Sequence, residues 1–118
     1  KKIILDNRWD NQVRFLEKTK NVDPSWFGLT MLIDRKFKKK KKSILAKLDK
    51  MGIENRPIIS GNFLKQPALK KYKFSQKSND FPNANYVHEF GFFVGLKNKI
   101  MSPNETSKFV NIFFKSFK

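Results

Sequence analysis

The sequence predicts one α+β domain with a small antiparallel or mixed sheet and helices packed on one side. Three observations predict it: short apolar runs that fit buried strands, longer stretches with apolar residues at helical spacing, and 39% hydrophobic residues, including 13 Phe, in 118 residues. A chain of this length builds one modest core. The predicted order is helix, strand, helix, strand, long loop, strand and helix, which is typical of a layered α+β fold.

The first two elements are predicted to be a helix and a strand. Residues 6–18, DNRWDNQVRFLEK, offer Asp6 as an N-cap, followed by apolar residues at the i, i+4 and i+7 positions of one helix face: Trp9, Val13 and Leu16. Residues 25–33, SWFGLTMLI, form a short run of aromatic and aliphatic residues. That run predicts a buried strand.

A second helix and an edge strand are predicted next. SILAKLDKMGIE carries an apolar stripe, and Gly52 supplies the left-handed residue after its end, with Ile53 packing back on Leu48. The stripe consists of Ile44, Leu45, Leu48 and Met51. Residues 53–59, IENRPII, are predicted to be extended, and Pro57 favours an edge position because proline lacks the N–H that a central strand needs.

The rest of the chain is predicted to be a long loop, a strand and a terminal helix. Residues 60–85 contain glycine and prolines without a sustained period, so they predict a loop with a helical turn near 67–72. Residues 86–96 are predicted to begin as a helix and to continue as a strand from Gly91. The sequence SPNE, 102–105, predicts a capping box that opens a helix with a broad phenylalanine face.

The most conspicuous feature is the run RKFKKKKKS at 35–43, in a chain with a formal net charge of +16. We interpret it as a solvated turn that leads into a helix, because Phe37 is its one aromatic residue and base stacking needs several. The alternative is a basic α+β module that binds nucleic acid or an anionic surface through residues 35–42. Nucleic acid is the less expected partner, since the chain has few arginines for bidentate contacts: Arg8, Arg14, Arg35 and Arg56.

Several kinds of site are excluded by composition. The chain has no cysteine, which excludes disulfides and a thiol nucleophile, and its single histidine, His88, cannot build a multi-histidine metal site. We therefore expect no metal. No apolar run is long enough to span a membrane and no signal peptide opens the chain, so a cytoplasmic location is expected. No self-contained catalytic motif is present.

One polar segment, GIENRPIISGNFLKQPA at 52–68, suits a ligand with hydroxyl and phosphate groups. Glu54 and Arg56 are two residues apart, so on an extended chain both side chains point to the same face. Glutamate accepts from hydroxyls and arginine donates to phosphate, while Gly61 and Asn62 allow close backbone approach and add an amide. The alternative interpretation is an edge-strand ion pair followed by a turn.

Three segments in register carry a family resemblance: SWFG at 25–28, GIENRPIISGNFLKQPA at 52–68 and DFPNANYVHEFGFFVG at 80–95. They resemble the C-terminal part of the DegT–StrS family of PLP-dependent sugar aminotransferases. The match is closest to the branch of 3-dehydratases that act on nucleotide-linked 4-keto-6-deoxyhexoses. Within the family pattern, Asn55, His88, Phe90 and Phe93 are departures, which leaves dehydratase or aminotransferase activity open.

The resemblance implies the C-terminal small domain of a larger enzyme, with residues 1–22 as a linking helix and loop and 25–118 as the α+β small domain. It implies a pyridoxal or pyridoxamine phosphate cofactor held mainly by an N-terminal large domain, a nucleotide-linked 4-keto-6-deoxyhexose as substrate, and a homodimer. Lipopolysaccharide or O-antigen precursor synthesis is the implied setting. No catalytic or cofactor-binding residue is expected in this chain. The expected substrate-binding residues are Glu54, Arg56, Gly61, Asn62 and His88.

Overall fold

The computed structural model describes residues 12–16 and 18–118. Four strands and three α-helices follow one another in it, and short 3-10 helices occupy residues 35–40, 63–65, 67–71 and 78–80. The main elements are β1 (Val13–Phe15), β2 (Gly28–Ile33), α1 (Lys41–Lys50), β3 (Asn55–Pro57), α2 (Pro82–Phe90), β4 (Gly91–Gly95) and α3 (Pro103–Lys115). The predicted α+β class is confirmed.

The sheet is antiparallel throughout, with the strand order β1-β2-β4-β3. Strands β2 and β4 form the centre, because each has a hydrogen-bonded neighbour on both sides. The short strand β3 lies at one edge. The edge position predicted from Pro57 is therefore confirmed, and it leaves one side of β3 without a strand neighbour among the described residues.

The helix predicted over residues 6–18 is wrong where the structure describes it. Val13–Phe15 form strand β1, in which Val13 lies opposite Ile33 and Phe15 opposite Met31. The spacing of Val13 and Leu16 fits a helix. However, Val13 is buried and its neighbour Arg14 is exposed, as expected in a strand, where successive side chains point to opposite faces. Asp6 and Trp9 lie outside the described residues. The sheet consequently begins before residue 25.

One hydrophobic core joins the sheet to α1 and α3. Paired strand residues such as Met31 and Phe92 project to the same face, where both are fully buried. Ile44 and Leu48 of α1 and Phe113 of α3 are buried in the same cluster. The rings of Phe92 and Phe113 stack with centroids 6.5 Å apart. This core packs one face of the sheet against α1 and α3.

The predicted end of α1 and the predicted start of α3 are confirmed. Gly52 has a φ of +80°, its N–H donates to the Asp49 carbonyl at 2.9 Å, and the Ile53 N–H donates to the Leu48 carbonyl at 2.9 Å. At the start of α3, the Ser102 N–H donates to Glu105 Oε2 at 2.9 Å, completing the capping box. That backbone hydrogen bond and Lys97 lower the pKa of the Glu105 carboxyl to about 2.

The long loop ends earlier than predicted. Pro82 opens α2, so residues 82–85 are helical, since proline fits the first turn of a helix where its missing N–H has no partner to lose. The helical turn predicted near 67–72 is present as the 3-10 helix Pro67–Lys71. Within the described ranges, no helix has both the length and the apolar character to cross a bilayer. Nor do three or more acidic or histidine side chains cluster there in a way that could hold a metal ion.

Candidate functional site

Glu54 and Arg56 form an ion pair on the solvent side of the sheet edge. Arg56 Nη2 donates to Glu54 Oε1 at 2.6 Å and Arg56 Nε donates to the same oxygen at 3.1 Å. The two side chains are 75% and 68% exposed respectively. Their common orientation, predicted from the two-residue spacing, is confirmed. The pair presents a guanidinium and a carboxylate together to the solvent.

Asn55, between them, fixes the orientation of this edge. Its amide donates to the Leu45 carbonyl at 3.0 Å and to Asp49 Oδ1 at 2.8 Å, both on α1. Because neighbouring strand residues point to opposite faces, anchoring Asn55 to α1 turns Glu54 and Arg56 away from the core. The sequence identified position 55 only as a departure from the family pattern, since its partners on α1 could not be assigned from the pattern alone.

Gly61 packs directly on the backbone of α2. A Cβ at this position would overlap backbone atoms of Val87 and His88. Only glycine permits that approach without a shift of the loop or the helix. Gly61 was expected to allow close approach of the backbone to a ligand, and in the structure it allows close approach to α2 of the same chain.

Asn62 is 2% exposed and holds the loop in place. Its amide donates to the Ser78 carbonyl at 3.1 Å and to Asn85 Oδ1 at 2.8 Å, and its own oxygen accepts from the Leu64 N–H at 3.1 Å. Both amide hydrogens are therefore used inside the protein. The geometry gives Asn62 a structural role, and its contact with substrate stays a prediction.

His88 lies on α2 with its Nδ1 atom buried and without a hydrogen-bond partner among the described residues. Its backbone is the one that Gly61 approaches. No hydrogen bond or ion pair in the described part of the chain joins His88 to Glu54 or Arg56. Of the five expected residues, the structure therefore brings Glu54 to Arg56 and Gly61 to His88, and buries Asn62 beside Gly61.

The basic segment, residues 35–42, is more than the solvated turn that the sequence suggested. It folds as a 3-10 helix that continues into α1, and Lys41 Nζ donates to the carbonyls of Glu89 at 2.6 Å and Gly91 at 3.2 Å. Partial burial lowers the pKa of Lys41, and the nearby Glu89 counters part of that effect. Lys41 thus binds the junction between α2 and β4.

Glu89 attaches the same segment by its side chain. Lys38 Nζ lies 3.1 Å from Glu89 Oε2, and Lys65 Nζ lies 3.3 Å from Glu89 Oε1. Hydrogen bonds from Lys38 and then Lys65 lower the pKa of the Glu89 carboxyl. Two lysines of a run of equal-looking residues are therefore engaged in the fold, which a sequence cannot show because their partners are about fifty residues away.

Comparison with known proteins leads to one kind of enzyme. No family model matches the chain. It is 38% identical over 73 residues to a GDP-4-keto-6-deoxy-D-mannose 3-dehydratase from Escherichia coli O55:H7, which covers 62% of this chain and 19% of the relative. A protein of the same name from Yersinia pseudotuberculosis is 33% identical over 73 residues, with the same coverage of 62% and 19%.

Solved structures give the same result. The E. coli GDP-4-keto-6-deoxy-D-mannose 3-dehydratase with bound hydrated PLP superimposes with a TM-score of 0.70 at 30% identity, covering 88% of this chain and 26% of that one. A mutant GDP-4-keto-6-deoxymannose 3-dehydratase with bound GDP-perosamine gives a TM-score of 0.67 at 28% identity, covering 92% and 26%. The chain thus spans about a fifth to a quarter of these proteins, and the resemblance read from the sequence is confirmed.

Proposed function

We propose that this chain is the small domain of a PLP-dependent sugar-nucleotide 3-dehydratase acting on a GDP-linked 4-keto-6-deoxyhexose. The observation that supports it most directly is the exposed Glu54–Arg56 pair at the edge strand β3, in a fold that superimposes on such enzymes. The similarity to 3-dehydratases favours that reaction over the aminotransferase reaction that the sequence left open. The domain is proposed to include β1, because β1 pairs with β2.

The pair suits both parts of such a substrate. Glu54 has a second carboxylate oxygen outside its bond to Arg56, which can accept from a sugar hydroxyl. Arg56 has further N–H groups that can donate to a phosphate oxygen or to the hexose. The hydrogen bonds between the two side chains place both groups next to each other on the exposed face. Gly61, Asn62 and His88 support the loop and helix beside this edge.

The cofactor is proposed to be held outside this chain. The family resemblance implies that an N-terminal large domain mainly binds the cofactor, and no described residue is assigned to it. The same proposal includes an N-terminal large domain, a homodimer and a role in lipopolysaccharide or O-antigen synthesis. The cytoplasmic location stays a prediction. Binding of nucleic acid through residues 35–42 is not favoured, because the similar proteins are sugar-nucleotide enzymes.

The test is Arg56→Ala in the intact enzyme. Loss of a charged hydrogen bond of roughly 3 kcal/mol predicts that kcat/KM for the sugar nucleotide falls by about 100-fold. Cofactor content, measured by absorbance, is expected to be unchanged. Arg14→Ala is the matched control, because Arg14 is exposed on the opposite edge strand. Unchanged kinetics in Arg56→Ala, or equal losses in both variants, would contradict the assignment.

A further inference from the structure

A groove lies between the basic segment and α2. Its volume is about 380 Å³, and it is lined by Arg35 and Lys38 from the basic segment and by Asn79, Tyr86 and Glu89 from the other side. Neither Glu54 nor Arg56 lines it. The groove is therefore a separate feature from the Glu54–Arg56 pair.

Arg35 is positioned in this groove without an acidic partner. Its guanidinium lies 4.9 Å above the ring centre of Tyr86, and the Tyr86 hydroxyl donates to the Ile33 carbonyl at 3.2 Å, which fixes the ring. Within the described residues, no carboxylate and no carbonyl accepts from the Arg35 guanidinium. Arg56, by contrast, is already bonded to Glu54. A stacked guanidinium with unused N–H groups is oriented for a planar, two-point contact with an anion.

The charges around Arg35 favour an anion. Among the described residues that line the groove, Glu89 is the one carboxylate, and it is already paired with Lys38 at 3.1 Å and with Lys65 at 3.3 Å. Its negative charge is thus largely compensated. Asn79 adds an amide that has no hydrogen-bond partner in the described part of the chain, whereas the Asn85 amide is held by the Ser78 carbonyl at 2.6 Å. The groove therefore combines net positive charge with free donors.

We propose that this groove binds a small phosphate-bearing anion, with Arg35 as the specific contact and Lys38 and Asn79 as supporting donors. The proposal goes beyond the function proposed above, because it assigns a second site that the Glu54–Arg56 pair does not form. The same chemistry could be supplied by a free inorganic diphosphate or by the diphosphate of a nucleotide. Arginine, rather than charge alone, is the essential element, since a lysine cannot stack on Tyr86 and bind two oxygens in one plane.

The experiment titrates inorganic pyrophosphate into the intact protein by calorimetry, with the variants Arg35→Gln, Arg35→Lys and Lys39→Gln. Arg35→Gln is expected to weaken binding by about tenfold or more, the effect of losing a charged hydrogen bond. Arg35→Lys is expected to lose most of the same affinity. Lys39→Gln removes one charge from an exposed residue of the same segment that does not line the groove, so a change of about twofold or less is expected.

Three results would overturn the proposal: no binding to the unmodified protein, equal weakening by Lys39→Gln and Arg35→Gln, or full retention of affinity in Arg35→Lys.

A second titration distinguishes the two sources of the anion. GDP is titrated into an Arg56→Ala background, with and without Arg35→Gln. A GDP affinity well above that of pyrophosphate, and lost with Arg35, identifies a nucleotide diphosphate, whereas equal affinities identify the free anion. If the dehydratase proposal fails, the Arg56→Ala kinetics stay unchanged while this pyrophosphate series can still succeed, so the two failures are distinguishable.

Discussion

The basic segment, residues 35–42, and the segment 54–62 use their polar side chains in opposite ways. In the basic segment most charges stay exposed, but the partly buried Lys41 binds two carbonyls of the α2–β4 junction. In the segment 54–62 the charged residues Glu54 and Arg56 stay in solvent and bind each other. The uncharged Asn62 is the buried member and holds two loops and a helix together.

The difference shows that the density of charge does not indicate which polar residues the fold depends on. A buried polar group has to satisfy its hydrogen bonds inside the protein, so its removal leaves several partners without one. An exposed ion pair can be replaced by bonds to water at little cost. The fold should therefore be most sensitive to Asn62, less to Lys41 and least to the exposed carboxylates.

Asn62→Ala is expected to have the largest effect. The change removes three hydrogen bonds and leaves Asn85 Oδ1 and the Leu64 N–H without the partner that Asn62 provides, so we expect a loss of about 2–4 kcal/mol in the free energy of unfolding. Urea unfolding measures it. Asn111→Ala is the control, because Asn111 is exposed on α3. A loss below about 0.5 kcal/mol for Asn62→Ala would show that the loop does not depend on this amide.

Lys41→Gln is expected to have an intermediate effect, about 1–2 kcal/mol, because a charged donor to two carbonyls is lost. Lys42→Gln removes the same charge at the next residue, which is exposed, and should change stability by less than about 0.5 kcal/mol. Urea unfolding of both variants distinguishes them. Equal losses of stability in the two variants would show that Lys41 has no special role, and would support the interpretation of the basic segment as a solvated turn.

The features that could be predicted from the sequence are those decided by neighbouring residues. The left-handed Gly52 and the Ser102–Glu105 capping box are local, and both are present as predicted. Strand β1 was not predicted because its three residues are too few to distinguish the helical period from the strand period. Pairing with β2 makes this segment a strand. Likewise the common face of Glu54 and Arg56 follows from their spacing.

The structural roles of the buried Asn62 and the partly buried Lys41 depend on partners distant in the sequence. Asn62 binds residues 16 and 23 positions away, and Lys41 binds residues 48 and 50 positions away. The basic segment has one arginine and six lysines that the sequence does not distinguish. Contacts with Glu89 and Gly91 engage Lys38 and Lys41 among them. Physical chemistry thus predicts which local motifs form, whereas tertiary packing selects the polar residues that become essential.

Glu89→Gln is expected to have the smallest effect, and its pH dependence tests the attachment of the basic segment. The Glu89 side chain is 38% exposed, so its two ion pairs should contribute about 0.5–1 kcal/mol at neutral pH. Because its pKa in the folded protein is lowered from 4.5, this stabilisation is complete above pH 4.5 and is lost as the pH falls through the folded value. The difference in unfolding free energy between wild type and Glu89→Gln should therefore shrink in acid and in high salt.

Glu54→Gln is the matched control for Glu89→Gln, since it removes the same charge from an ion pair in the segment 54–62. Its partner is Arg56, and both side chains are more than two-thirds exposed, at 75% and 68%. We therefore expect a change within about 0.5 kcal/mol. If the two glutamine variants have the same stability at every pH, Glu89 does not attach the basic segment to α2, and the contrast between the two segments rests on Lys41 and Asn62 alone.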